Sequence, residues 1–295
     1  MEIHQLRYFV EVAESGNFTR AAESCSVSQP TLSHQVRKLE DKLGEPLLHR
    51  SKTRARLTPF GEIFYERAMR ILSEVRAAEE DADSFGSMLR GSLRIGAIPT
   101  IAPYLLPEMA GSFIETNRNI QIGVSEDVTH RLLEQMKMGK LDFALLSPPL
   151  DGDEWNLLEL ERDELLVTLP ANHVLAGEQT IDLDSLLTHP LVLMQEAHCL
   201  SKQALQVCEQ AGRTPRVSIR SSQLETVQAL VELGLGVSFT PAMALPRLSS
   251  RKVCHLSIAP TPVYRRIALA WLDHGSPTLI ATAFKDHVRN AGVWE

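Results

Sequence analysis

The residues best suited to covalent chemistry in this 295-residue chain are its four cysteines, at positions 25, 199, 208 and 254. Two of them share the segment HCLSKQALQVC, with Cys199 and Cys208 nine residues apart. On one continuous helix their thiols are separated by about 13.5 Å of rise and face opposite sides, at roughly 100° per residue. A disulfide needs Cα atoms roughly 4.4–6.8 Å apart. A Cys199–Cys208 bond therefore requires the helix to unwind, and would be a conformational switch rather than a staple. The alternative is two small packing residues on an amphipathic helix, since free cysteine is often buried. Spacing alone favours that alternative. Cys25 and Cys254 read as packing residues. Other chemistries are poorly represented: there is no Walker loop, no GxGxxG after a strand, no GxSxG and no HExxH. His198-Cys199 followed by Cys208 lacks the close paired spacing of a zinc site. Neither an enzyme nor a metal or cofactor site is expected.

Four cysteines are too few for a secreted disulfide scaffold. The opening MEIHQLRYFVEVAES carries acids and no continuous apolar core, so no signal peptide is expected. No apolar run approaches 18 residues, so no membrane span is expected either. The reducing cytoplasm is the expected location. Apolar residues at 44% and charged residues at 23% suit a folded globular protein of about two domains. The net charge of −7 argues against a nucleic-acid partner when read whole. It is unevenly shared. Residues 1–58 hold nine basic and seven acidic residues, for +2, which leaves 21 basic and 30 acidic residues, or −9, for the remainder. The stretch HRSKTRAR (His49–Arg56) has four basic residues and no acid. A small basic module on a larger acidic one fits this split, although a charge run alone is usually a solvated face.

The elements of the basic module are readable. Leu6, Phe9, Val10 and Ala13 recur at helical spacing, with Gly16 as a stop. Thr19 can cap a short helix containing Ala21 and Ala22, and Ser28 can cap a second. That second helix carries Leu32, Val36, Leu39 and Leu43 as one stripe, with Gly44 closing it. Its other face carries Gln29, Pro30, Thr31, Ser33, His34 and Arg37. Two short helices with a tight turn form a helix-turn-helix, which sets the second helix in the DNA major groove. Gln and Arg there pair with base edges, while Ser and Thr reach phosphates or bases. LLHR and ARL read as a wing whose cations, Arg50, Lys52 and Arg54, meet backbone phosphate. The run AAESCSVSQPTLSHQVRKLEDKLGEPLLHR, followed by RLTPFGE, resembles the winged helix-turn-helix of LysR-type transcriptional regulators over about 60 residues. The competing reading is a helical module that binds protein.

Thr58-Pro59 opens a long helix to about Met88. Phe64, Ala68, Ile71, Val75, Ala78, Ala82, Phe85 and Leu89 recur every three or four residues, a coiled-coil seam. Its expected partner is another subunit; the alternative is the protein's own core. Leu89–Ser92 is a plausible hinge. Beyond it, strands and helices alternate, which predicts βαβ units and a parallel sheet. The first set runs SLRIGAIP, a helix from Tyr104, IQIGVS, THRLLEQMKMG and LDFALLSP. The second begins at LLVTLP and ends with VCHLSI, RRIALAWL and the helix PTLIATAFKDHVRN. The expected organisation is a winged helix-turn-helix over 1–58, a linker helix over 59–88 and a regulatory domain over 89–295. That domain is α/β and two-lobed, with lobe I about 92–163 and 267–295 and lobe II about 164–266. The order resembles LysR effector domains, similar in fold to periplasmic solute-binding proteins. Ligands of such folds bind at the carboxyl ends of strands.

HCL with a second cysteine nine residues on is similar to the OxyR-type hydrogen-peroxide sensors, a LysR subfamily. PTIAPYLLPEM, EDVTHRLLEQMKMGKLDFALL and LETVQALVELGLGVSFTPAMALP also look like that subfamily. The resemblance implies that peroxide oxidises Cys199 to a sulfenic acid, which Cys208 resolves to a disulfide. It implies a peroxide pocket with Thr100 and Thr129 as hydroxyls, His198 beside the cysteine, and Arg265 or Arg266 as the pocket arginine. It also implies promoter DNA and RNA polymerase as partners, activation of oxidative-stress genes, and a homodimer or homotetramer. The chemistry is coherent, because a thiolate is stabilised at a helix N-terminus or beside cations, here Lys202 and His198. Two departures stand out. Ser201-Lys202 replaces an arginine-acid pair, and Ser218 stands where the subfamily's better-known members carry histidine. The alternative function is a LysR-type regulator with inert cysteines and a small organic inducer in its cleft. A solute-binding or enzymatic role is the remaining possibility.

Overall fold

The computed structural model describes residues 1–50, 54–85, 88–210, 212, 214–248, 252–273 and 277–291. The chain forms two compact units, one of residues 1–87 with 134–140 and one of 88–133 with 141–295.

In the first unit, α1 (Ile3–Ser15) ends at Gly16, whose φ of 64° is the left-handed geometry that favours glycine. Helix α2 (Phe18–Ser24) is capped by Asn17, not by Thr19 as expected. The Asn17 carboxamide oxygen accepts from the Thr19 and Arg20 N–H groups at 2.8 and 3.2 Å, so Thr19 already lies inside the helix. Ser28 caps α3 (Gln29–Leu43), and Gly44 closes it at φ 78°. Leu32, Val36 and Leu39 are fully buried, against Phe9, Val12 and Ala21. Strands β1 (Leu48–Arg50) and β2 (Ala55–Leu57) pair antiparallel as the wing. The Glu40 carboxylate on α3 accepts from the Leu47 and Leu48 N–H groups at 3.0 and 3.2 Å, fixing the base of that wing.

Helix α4 (Pro59–Ser84) starts where the notation Thr-Pro predicts: the Thr58 hydroxyl accepts from the Gly61 N–H at 2.9 Å and donates to the Pro46 carbonyl at 2.7 Å. A Cβ at Gly61 would lie 2.0 Å from the Leu47 carbonyl oxygen, so the close approach of helix to wing demands glycine. The helix ends at Ser84 rather than near Met88, because Phe85 turns to extended backbone. Its seam divides. Phe64 and Ala68 are buried in the core of their own unit, Phe64 against Phe9 at 5.6 Å between ring centroids. Ile71, Ala78, Ala82 and Phe85 are exposed.

The second unit begins with β3 (Gly91–Ala97), α5 (Ala102–Thr116), β4 (Ile120–Glu126), α6 (Thr129–Lys137), of which residues 134–137 count with the first unit, and β5 (Phe143–Leu146). It continues with β6 (Trp155–Pro170), β7 (Thr180–Asp182), α7 (Leu183–Leu186), β8 (Leu191–Met194) and α8 (Cys199–Gln210). It closes with β9 (Val217–Ser221), α9 (Leu224–Glu232), β10 (Ser238–Pro241), β11 (Val253–Ala259), β12 (Tyr264–Leu272) and α10 (Leu279–Ala291). The main sheet runs β4-β3-β5-β12-β6-β11-β7, with β10 also on β6. Strand β3 is parallel to β4 and β5, as expected. Strand β12 is antiparallel to both β5 and β6, so the sheet is mixed rather than parallel. The sequence reading also began β6 too late. The preceding WNLLELER holds only half-exposed and exposed residues, which hides a strand. Its first part pairs with β12 and its last with β10 and β11, so β6 and β12 carry the chain between the two lobes. Among the described residues, no helix is long and apolar enough to cross a membrane.

Candidate functional site

Cys199 is the first residue of α8, so the helix's unsatisfied N–H groups face it. The turn before it is fixed by His198 N–H to the Gln195 carbonyl at 3.0 Å. Leu200, Ala204, Val207 and Cys208 anchor the helix in two apolar clusters of the second lobe. Both cysteines thus lie on one continuous helix, and Cys208 is fully buried on the far side of it. All four cysteines are free thiols. Cys199 is half-buried and opens on a cavity of ≈ 120 Å³ whose wall includes Thr129, Ser147, Asp151 and Lys202. Thr129 comes from the start of α6 and Ser147 from the end of β5, so strand and helix ends deliver the polar groups. The Thr129 hydroxyl is buried and hydrogen-bonds no group among the described residues.

Arg265 and Arg266 are separated by strand alternation. Arg265 is 2% exposed. Its Nε donates to Asp163 Oδ2 at 2.8 Å, its Nη1 to the Thr100 hydroxyl at 2.8 Å and its Nη2 to the Thr100 carbonyl at 2.9 Å. Asp163 is tied in turn by the Met243 N–H at 2.9 Å. Arg266 faces solvent and pairs with Glu159 at 2.6 Å. Of the two arginines, Arg265 takes the inward position and Arg266 the outward one, and neither lies on the wall of the cavity at Cys199. Thr100 joins the site through Arg265 rather than on the cavity wall.

Burial pushes the Cys199 thiol above its ordinary value. The charge of Arg265, the N–H groups at the helix start and the charge of Lys202 oppose that rise. His198 is buried and desolvation lowers its pKa, which works against its role as a cationic neighbour of the thiol. Burial also pushes the Cys208 thiol up, to about 11. Cys25 closes α2 and packs against the first unit's core, and Cys254 packs against the apolar cluster around Leu169 and Leu256, both as expected of packing residues.

Sequence reasoning missed three groups. Asp163 sits as an acid within ERDELLVTLP, and a charge inside a strand pattern is the signal that marks a buried partner. Gln203 donates to the Ser147 hydroxyl at 2.9 Å, which donates to the Arg266 carbonyl at 2.8 Å. Arg220, from β9, donates to the hydroxyl of buried Ser201 at 3.2 Å. Ser218, the second departure, donates to the Leu191 carbonyl at 3.1 Å.

On α3, Gln29, Pro30, Thr31, His34 and Arg37 are exposed together, while Ser33 is half-buried. The Thr31 hydroxyl shares a 2.8 Å hydrogen bond with Ser28, which stiffens the helix start. Arg54 is exposed on the wing. Lys52 and the Arg50 side chain lie outside the described residues.

Residues 3–62 match the bacterial regulatory helix-turn-helix protein, lysR family, and residues 86–292 match the LysR substrate binding domain. The chain belongs to the LysR family of transcriptional regulators. Within that family it is similar to the OxyR-type proteins. It is 37% identical over 278 residues to the hydrogen peroxide-inducible genes activator of Pectobacterium carotovorum, covering 94% of this chain and 92% of that one. It is 35% identical over 278 residues to the DNA-binding transcriptional dual regulator OxyR of Escherichia coli K12, covering 94% and 91%. Full-length Pseudomonas aeruginosa OxyR with a cysteine-to-aspartate change superposes with a TM-score of 0.81 at 31% identity, covering 99% and 94%. This LysR regulator thus combines an N-terminal helix-turn-helix with a two-lobed α/β domain, the fold class expected from its sequence.

Proposed function

We propose that this LysR regulator binds promoter DNA through residues 1–58 and senses hydrogen peroxide at Cys199. In this reading residues 59–88 link subunits, and 89–295 form the redox sensor with the lobe limits given above. The observation that carries the reading is the cavity at Cys199. A nucleophilic sulfur at a helix start shares a small polar space with an unpartnered hydroxyl, and a buried arginine acts on it. The space of ≈ 120 Å³ is large enough for a small oxidant to reach the sulfur.

The Cys199 sulfur attacks one peroxide oxygen. An S–O bond forms, the O–O bond breaks, and the leaving hydroxide takes the thiol proton to become water. Sulfur is oxidised and peroxide reduced. Thr129 donates to the departing oxygen, while Arg265 and Lys202 favour the developing thiolate. The sulfenic acid then condenses with the Cys208 thiol, forming the S–S bond and releasing water. The two sites lie about 13.5 Å apart along α8, so this step unwinds the helix. Refolding around 199–211 changes how subunits meet and so how the DNA-reading helices are spaced. The exposed seam of α4 supports a homodimer or homotetramer, and RNA polymerase is the partner expected of an activator. Cytoplasmic location suits thiols kept reduced at rest.

The deciding experiment treats the protein with low-micromolar peroxide, maps disulfides by mass spectrometry and footprints DNA in both states. Cys199→Ser should abolish the response. Cys208→Ser should leave Cys199 oxidisable without the intramolecular disulfide. If Cys199 and Cys208 stay thiols while other cysteines oxidise, the proposal fails.

A further inference from the structure

Any switch at Cys199 has to release the segment that holds it, and on that segment one strand residue makes the side-chain contacts from β9. Arg220 on β9 reaches three points around the start of α8. Its Nη2 pairs with Glu196 in the preceding loop at 2.9 Å. Its Nη1 donates to the Ser201 hydroxyl at 3.2 Å and lies 3.4 Å from the Met194 carbonyl at the end of β8. Ser201 is 1% exposed and two residues beyond Cys199, on the first turn of the helix. The strand that carries Arg220 is itself anchored, because β9 pairs with β8 and the Gln195 N–H donates to the Ser221 carbonyl at 2.8 Å. Backbone pairing thus ties residues 194–195 to β9, and the Arg220 guanidinium extends the hold to Glu196 and Ser201. Arg220 is not among the residues that line the cavity.

We infer that Arg220 is a positioning residue that governs closure of the Cys199–Cys208 disulfide without acting on the oxidation of Cys199. The inference rests on the redox reading of this site. Peroxide attack leaves α8 wound, so the first step does not disturb the clamp. Condensation of the Cys199 sulfenic acid with the Cys208 thiol, which releases water, requires the first turn to come away, and Ser201 with it. The contacts of Arg220 therefore stand in the wound state and are broken on the way to the disulfide. Loss of the charge-assisted hydrogen bond to Ser201, the Arg220 contact that lies on α8 itself, should speed that step by roughly fivefold.

The test separates the two steps in the full-length protein. A sulfenic-acid-trapping dione measures oxidation of Cys199, and quenched non-reducing peptide mapping measures disulfide formation. In Arg220→Gln, sulfenic acid should form within about twofold of the wild-type rate, and the disulfide roughly fivefold faster. Ser201→Ala should show the same split, and the double variant should add little to either, because both remove one contact. Arg220→Lys keeps the charge but not the planar fork, and should lie between. Equal rates of disulfide formation in wild type, Arg220→Gln and Ser201→Ala would overturn the clamp while leaving peroxide sensing intact. Parallel changes in both steps would overturn it too, as the mark of general loosening. Absence of any Cys199–Cys208 disulfide in the wild type would overturn the redox reading itself and the clamp with it.

Discussion

Thr129→Val separates the cavity's chemistry from its stability. The Thr129 hydroxyl is buried and takes no partner among the described residues, so valine keeps the shape and removes no protein hydrogen bond. A buried hydroxyl without a partner costs about 1–3 kcal/mol, so its removal should leave unfolding free energy unchanged within about 1 kcal/mol, or raise it. Valine at the start of α6 adds only a few tenths of a kcal/mol in helix propensity. The reaction should suffer far more. Loss of one preorganised donor to a developing oxyanion lowers rates by about 10²-fold, which corresponds to about 2.7 kcal/mol in the barrier. Urea denaturation of the reduced protein gives the first quantity. Stopped-flow oxidation of Cys199, in the Cys208→Ser background, gives the second. A variant that loses 2 kcal/mol or more of stability ~ on the scale of a broken buried contact ~ while oxidising at the wild-type rate would refute the reasoning, because the hydroxyl would then be structural.

Four further outcomes are expected. Arg265→Met leaves Asp163 buried and unpaired, its side chain 2% exposed, and should cost about 3–5 kcal/mol in urea denaturation; adding Asp163→Leu should recover most of it. Because burial raises the Cys199 thiol, the reactive thiolate is the minority form at neutral pH, and oxidation should quicken about tenfold per pH unit between roughly pH 6 and 8. A rate that is flat across that range would contradict the raised value. Cys208, pushed to about 11 and fully buried, should resist iodoacetamide in the folded reduced protein while Cys199 reacts; equal labelling of both would show that α8 opens without oxidation. In the DNA-reading unit, Arg54→Ala should weaken binding to all sequences and lower the salt slope by about one, whereas Arg37→Ala should also alter base preference in a competition footprint.

The sequence by itself determined the DNA-reading module almost completely. Its signals are local: the Leu32, Val36 and Leu39 stripe, the Ser28 cap, the Gly16 and Gly44 stops and the Thr58-Pro59 start each act within one or two helical turns. Even the error there, Thr19 for Asn17, displaced a cap by two residues. It also determined that Cys199 and Cys208 share a helix, because an unbroken amphipathic pattern joins them. The long strand β6 was less legible, since half-exposed alternation with charges looks like a loop until β12 is placed beside it. Only the tertiary structure decided the surroundings of the thiol. Arg265 meets Asp163 across 102 positions and Thr100 across 165, and nothing short of the fold distinguishes it from its neighbour Arg266. The cavity draws Thr129, Ser147 and Cys199 from three elements, and burial, not residue type, lowers the pKa of His198 and raises that of the thiol. Helix periodicity is written in consecutive residues; desolvation and charge pairing depend on distances that the chain sets only after folding.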